Sequence, residues 1–275
     1  MIKILCDSIT DLPTEIIKKY NIGIVPLTVI FNQKEYLDGI DITNKEFYKM
    51  LRENETMPKT SQATYAQFVK FFEKYKDDEI LYFAGSSVAS GTYQSAVLAK
   101  NDVDANITIF DTLNLSLGSG VLVLKACEMI EQGLCIDEIV KNLDNIKNDI
   151  EVVLSVDTLE YLKNGGRISS TKAALGNLLS IKPILSVKDG LVTQKSQVRG
   201  KKHIYSALIN SIAKVYNNDL ENRTVILACG DNEKDLETLK TRLTEQCKVN
   251  DLYSVNIGCG ICSHAGPGVL IISCI

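Results

Sequence analysis

The sequence predicts an α/β protein of two domains. Residues 1–150 read as an N-terminal three-layer α/β domain with a mainly parallel sheet, and residues 151–275 as a C-terminal α+β domain with a mixed sheet. Three observations predict this. Short apolar runs alternate with helix-like segments through the first 150 residues, the pattern of a parallel sheet with crossover helices. Beyond them, Asp189-Gly190 sits between two apolar runs, a two-residue hairpin signal that a purely parallel sheet lacks. A length of 275 residues with 45% hydrophobic content is ample for two cores.

In order along the chain, Ile2 to Cys6 is a strand ended by Asp7-Ser8, and Asp11 with Pro13 opens a helix, since proline is tolerated in a first turn. A second strand covers Gly23 to Phe31. Thr43-Asn44-Lys45-Glu46 is a capping box for a helix reaching about Asn54. Ser61 is expected to cap a helix from Thr64 to Tyr75. Glu79 to Ala84 is a strand, Thr92 to Lys100 a helix and Ile107 to Phe110 a strand. The long apolar helix from Leu113 to Ile130 is stopped near Gly133.

Past about Ile150 come a strand (Val152 to Val156) and a short helix ending at Asn164-Gly165-Gly166. The hairpin of Pro183 to Val187 with Leu191 to Gln197 follows. A helix from about Lys201 to Tyr216, a strand from Thr224 to Cys229, a helix from Glu233 to Cys247 and two final strands complete the chain. No Pro/Gly/Ser-rich linker divides the halves, so they are expected to pack tightly around a cleft.

Charge and hydropathy narrow the function. A net charge of -4 gives no basic stripe for nucleic acid. The start Met1-Ile2-Lys3-Ile4-Leu5-Cys6 is too short an apolar run for a secretory signal. The most apolar helix is interrupted by Ser116, Ser119, Lys125 and Glu128, so no membrane span is expected and the expected location is cytoplasmic. In a reducing compartment the eight scattered cysteines read as small core hydrophobes.

Chemistry is expected at two hydroxyl clusters. Pro58-Lys59-Thr60-Ser61-Gln62 and Gly85 to Ala96, with Ser86, Ser87, Ser90 and Thr92, each precede a helix. Both are expected at the carboxyl edge of the parallel sheet, where helix N-termini favour an anion. A serine hydrolase needs a base, but the chain has only two histidines and no G-x-S-x-G elbow. The phosphate-binding glycine motifs are absent too, and Asp7 reads as a turn residue. In Asn256-Ile257-Gly258-Cys259-Gly260-Ile261-Cys262-Ser263-His264, a second ligand pair for zinc is missing. Its glycines argue for a loop with incidental cysteines and His264 as a donor.

Several blocks, in order along nearly the whole chain, resemble the DegV family: Asp7-Ser8-Ile9-Thr10-Asp11-Leu12, Pro58 to Gln62, Ser86 to Ala96, Leu159 to Ile168, Val198-Arg199-Gly200-Lys201-Lys202 and His264 to Gly268. Cys259 and Cys262 depart from the family's usual loop. The resemblance implies a carrier without turnover alone, needing no cofactor or metal. It would bind one long-chain fatty acid between its domains and present it to an ATP-dependent fatty acid kinase, which forms an acyl phosphate for phospholipid synthesis. A transient membrane-surface contact is compatible with that role. By motif, Thr60, Ser61 and Ser90, with Gly91 and Thr92 beside them, would hold the carboxylate next to His264. Arg167 would organise the inter-domain loop, and Arg199 would support the network and face the kinase. For Arg167, ordinary salt bridging is an equal alternative.

Three classes of function thus compete. A fatty-acid carrier predicts co-purified lipid, a serine hydrolase acting on acyl esters predicts labelling by a fluorophosphonate, and a thiol or metal protein predicts zinc or a redox-active dithiol. The resemblance favours the carrier.

Overall fold

The computed structural model describes residues 1–54, 56–169 and 181–275. The first half runs β1 (Ile2–Asp7), α1 (Thr14–Lys19), β2 (Gly23–Val25), β3 (Thr28–Phe31), β4 (Lys34–Leu37), α2 (Asn44–Glu53) and β5 (Lys59–Ser61). It continues with α3 (Tyr65–Lys74), β6 (Glu79–Ala84), α4 (Thr92–Lys100), β7 (Ile107–Asp111), α5 (Leu117–Glu131) and α6 (Ile136–Ile146). The second half runs β8 (Glu151–Ser155), α7 (Glu160–Gly165), β9 (Ile181–Lys188), β10 (Leu191–Arg199), α8 (Ile204–Val215) and β11 (Leu220–Cys229). It ends with α9 (Glu233–Gln246), β12 (Val249–Asn256), α10 (Cys259–Ala265) and β13 (Leu270–Cys274).

The N-terminal sheet, β2-β1-β6-β7, is parallel throughout. The C-terminal sheet, β10-β9-β8-β13-β11-β12, is mixed, with only β11 and β12 parallel. Asp189 and Gly190 both have positive φ, as a type I′ hairpin turn requires. Pro183 is tolerated in β9 because pairing with β8 begins only at Ile184, so no donor is missed on that side.

Several local expectations differ from the structure. The expected strand from Gly23 to Phe31 is split at Pro26 into β2 and β3, which belong to different sheets. β3 joins β4 and β5 in a small antiparallel sheet, so Thr60 and Ser61 lie on a strand and not at the edge of the parallel sheet. The cap of α3 is Thr64, not Ser61; its hydroxyl accepts from the Gln67 N–H while Gln67 bonds back, a full capping box. α5 begins at Leu117, because Leu113 and Ser116 adopt positive φ. α6 was not expected from the sequence; Glu138 reaches back to the Cys135 N–H at 3.0 Å, a capping interaction masked by the unusual cysteine.

Strand alternation assigns each face of the large sheet to a different layer. Val152, Leu154, Ile226, Ala228 and Ile271 join the core shared with the N-terminal half. Their neighbours Val153, Val225, Leu227 and Ile272 pack into a second cluster under α8 and α9. Between the sheets lies α5, which touches β6 of one and β8, β11 and β13 of the other. It is buried on nearly every side from Leu117 to Leu124, matching a helix that is apolar all round. Gly120 lets it approach closely: a Cβ there would stand 2.5 Å from the Asp11 carbonyl oxygen.

The Cys259–Ala265 segment is a helix, not the loop its glycines suggest. Buried carboxylates supply what its sequence lacks. Asp11 accepts from the Gly258 N–H at 2.7 Å, and Asp38 accepts from the N–H groups of Cys259 and Gly260 at 3.1 and 3.0 Å. These are donors that a helix N-terminus leaves unpaired, and the helix dipole favours negative charge there. Cys259 and Cys262 are both buried free thiols, and burial pushes both up in pKa, which leaves them as unreactive neutral groups.

Burial also raises two carboxyls of the amino-terminal loop, Asp7 to about 6 and Asp11 to about 7 from the ordinary 3.8. A raised pKa means the folded chain holds the proton more firmly than the unfolded chain. That contribution to stability is full below about pH 4 and is lost as pH rises through about 6 to 7. Urea midpoints of wild type and Asp11→Asn, measured from pH 4 to pH 8, should therefore diverge in favour of the variant as pH rises. A gap that stays constant or narrows would show that the Asp11 carboxyl is not held protonated by burial.

Candidate functional site

A mainly apolar cavity lies where the two halves meet, with about 680 Å³ of empty space, part of it open to solvent. One wall is the α5-facing side of the large sheet: Val152 and Leu154 of β8, Val187 of β9, Val192 of β10 and Ile271 of β13. The opposite wall comes from the N-terminal half, including Ile9, Leu27 and Leu115.

The polar groups gather together. Thr60 comes from β5, and its Oγ1 lies 2.8 Å from Nε2 of His264 on α10. Burial, and then the Arg167 guanidinium, push the His264 imidazole down to about 4, so the ring is neutral at neutral pH. Ser90 belongs to the loop after β6. Its hydroxyl lies 2.9 Å from that of Thr92 and accepts from the Thr92 N–H at 3.3 Å. The Thr92 hydroxyl in turn accepts from the Ala63 N–H at 3.3 Å, and Gln62 donates to Ser95 at 2.8 Å. The two hydroxyl clusters are therefore stitched together. Gly91 permits the approach, since a Cβ there would overlap the Gln62 side-chain amide. Arg167 closes the group from the C-terminal half: Nε donates to the Ala89 carbonyl at 2.9 Å, and Nη1 donates to that of Gly165.

Of the residues singled out by sequence, Thr60, Ser90, Arg167 and His264 line this one cavity. Gly91 and Thr92 stand behind Ser90 and brace its loop. Ser61 is exposed, because strand alternation turns it away from the side of Thr60. Arg199 is exposed at the end of β10 and lies outside the lining. Sequence reasoning missed the apolar wall, since a core valine and a cavity valine read alike. It also missed Ser116, which lines the cavity and donates to Asp11 at 2.6 Å.

Chemically, the arrangement offers an apolar body and, at one place, two hydroxyls, a neutral imidazole and a guanidinium. No carboxylate lines it among the described residues. Such a site suits an apolar molecule with an anionic head, whose hydrogen bonds to the hydroxyls and the guanidinium would be charge-assisted. Among the described residues, no cluster of three or more His, Cys, Asp or Glu side chains could hold a metal ion. No helix there is long and apolar enough to cross a membrane.

The family model described as "Uncharacterised protein, DegV family" matches residues 1–275. A DegV domain-containing protein of Caldanaerobacter subterraneus subsp. tengcongensis is 39% identical over 97% of this chain and 95% of its own length. Among solved structures, a Thermotoga maritima protein described by its fatty acid binding function is 34% identical, with a TM-score of 0.88 over 99% of this chain and 98% of that one. A stearic acid-binding protein from Eubacterium ventriosum is 27% identical, with a TM-score of 0.92 over 100% of this chain and 98% of that one. With its whole length matched and its relatives this similar, the chain belongs to the DegV family.

Proposed function

We propose that this protein is a carrier that binds a long-chain fatty acid in the cavity between its halves and presents the carboxylate to an ATP-dependent kinase for acyl phosphate formation. The observation that carries the reading is one apolar cavity with Thr60, Ser90, Arg167 and His264 gathered together in its lining. Structural neighbours described as fatty-acid-binding proteins support it. The acyl chain supplies most of the affinity, about 0.8 kcal/mol per buried CH₂. A chain of about sixteen carbons thus offers on the order of 12 kcal/mol before entropic costs. Hydrogen bonds to the head contribute less, about 1.5–3 kcal/mol each when one partner is charged. Their role is to aim an oxygen. Arg199, exposed and outside the lining, is suited to meeting a partner and not the lipid.

A second reading, a serine hydrolase acting on acyl esters, has one observation in its favour. Ser116 sits at the turn into α5 with φ 52° and ψ −122°, a strained conformation for serine, and its hydroxyl meets the buried Asp11. The carrier reading is preferred because the cavity's histidine is bonded to Thr60, leaving Ser116 without an imidazole base.

Natively purified protein should yield fatty acid by mass spectrometry. With a saturating cognate kinase it should produce acyl phosphate that hydroxylamine traps. Ser90→Ala, His264→Ala and Arg199→Ala should keep their lipid but lose the acyl phosphate rate by about a hundredfold, since small misplacements of a reacting group cost that much. If all three bind lipid and react at the wild-type rate, the site assignment falls.

A fluorophosphonate probe separates the two readings. Intact-mass measurement should find no adduct on the wild-type protein. An adduct mapped to Ser116 and absent in Asp11→Asn would establish the hydrolase instead.

A further inference from the structure

His264 is held by only one of its two ring nitrogens. Nε2 meets the Thr60 hydroxyl at 2.8 Å, whereas Nδ1 is buried with no hydrogen-bond partner among the described residues. What stands against the Nδ1 edge is Gly165, the last residue of α7. A Cβ built there would overlap Nδ1 and lie 2.8 Å from Cε1 and 3.2 Å from Cγ of the same ring. Carbon atoms pack at about 3.5–4.0 Å, so a side chain at 165 and the ring in its present place exclude each other.

The backbone itself does not ask for glycine at this position. Gly165 is helical and is not among the positive-φ glycines, and helix interiors prefer alanine. Its neighbour is the converse case. Gly166 caps α7 at φ 68°, yet a Cβ there would meet nothing within 4 Å. Of two adjacent glycines, one serves the backbone and the other serves the imidazole.

The lone nitrogen also decides the tautomer. A buried N–H without an acceptor is rarer than an unfilled lone pair, and the Arg167 cation nearby opposes a second proton on the ring. The proton therefore sits on Nε2 and is donated to Thr60 Oγ1.

We propose that Gly165 is a positioning residue of the head-group site: the space left by its missing side chain receives the Nδ1 edge of His264, fixes Nε2–H on Thr60, and so frees the Thr60 hydroxyl proton for the ligand's carboxylate. The last step rests on the fatty-acid reading; the placement of the ring does not.

Nitrogen-15 NMR of the imidazoles tests the ring directly, because the chain has only two histidines. In the wild type, His264 should show a protonated Nε2, an unprotonated Nδ1 and a midpoint near 4. In Gly165→Ala its ring signals should shift and its midpoint rise toward the ordinary 6.5, while the ring signals of His203 stay in place. Gly166→Ala should leave the His264 signals in place while lowering the thermal midpoint. With lipid and a cognate kinase, Gly165→Ala should keep its lipid and lose the acyl phosphate rate about a hundredfold, whereas Gly166→Ala should not. A wild-type ring protonated on Nδ1 overturns the proposal without any variant, and so does an unmoved His264 in Gly165→Ala. Wild-type protein without lipid would instead overturn the fatty-acid reading, while the ring measurements stand.

Discussion

Three backbone N–H groups at the start of α10 depend on two carboxylates from the far end of the chain, and the cavity depends on both. Asp11 and Asp38 are buried, and a buried polar group is costly unless it is hydrogen-bonded. The start of a helix provides such donors, so each party satisfies the other. The segment leading into α10 is held the same way: Tyr48 donates to the Ile257 carbonyl at 2.5 Å, and Asn44 donates to that of Asn256 at 3.3 Å. His264 lies one turn further along. Its ring reaches Thr60 because residues more than two hundred positions earlier fix the helix that bears it.

The two halves share one core. Their facing sides form a single hydrophobic cluster, with α5 between the sheets. Only the far side of the large sheet, under α8 and α9, has a cluster of its own. The cavity opens within the shared cluster, and its polar groups come from both halves: Thr60 and Ser90 from one, Arg167 and His264 from the other. Arg167 joins them mechanically as well as electrically, since it holds the Ala89 carbonyl of the serine loop.

Where a residue's role was set by its neighbours in sequence, that role was legible. The Thr43 capping box, the Asp189-Gly190 turn and the alternation of strand and helix each follow from a few consecutive residues. Roles set by distant partners were not. Nothing local says that Gly258-Cys259-Gly260 will find two carboxylates and become helical, or that Pro26 will send its two flanking strands to different sheets. The gathering of Thr60, Ser90, Arg167 and His264 came from resemblance to a family, not from spacing. Val152 and Val153 show the limit plainly: adjacent identical residues, one facing the cavity and the other a closed core, separated only by which way the strand turns them.

That wall has a consequence for exchange. The residues facing the cavity are core residues by every other measure: Val152, Leu154 and Ile271 are almost wholly shielded from water and belong to the cluster that binds the halves together. An acyl chain lying against them, as the proposed function has it, would complete the interior of the protein. Removing it would leave a hollow whose lining has lost its neighbours. Under the proposed function, cargo would then be retained by the same cooperativity that keeps the polypeptide folded, and unloading would take a local opening of that core. A carrier built this way would tie the release of its passenger to the opening of its own core.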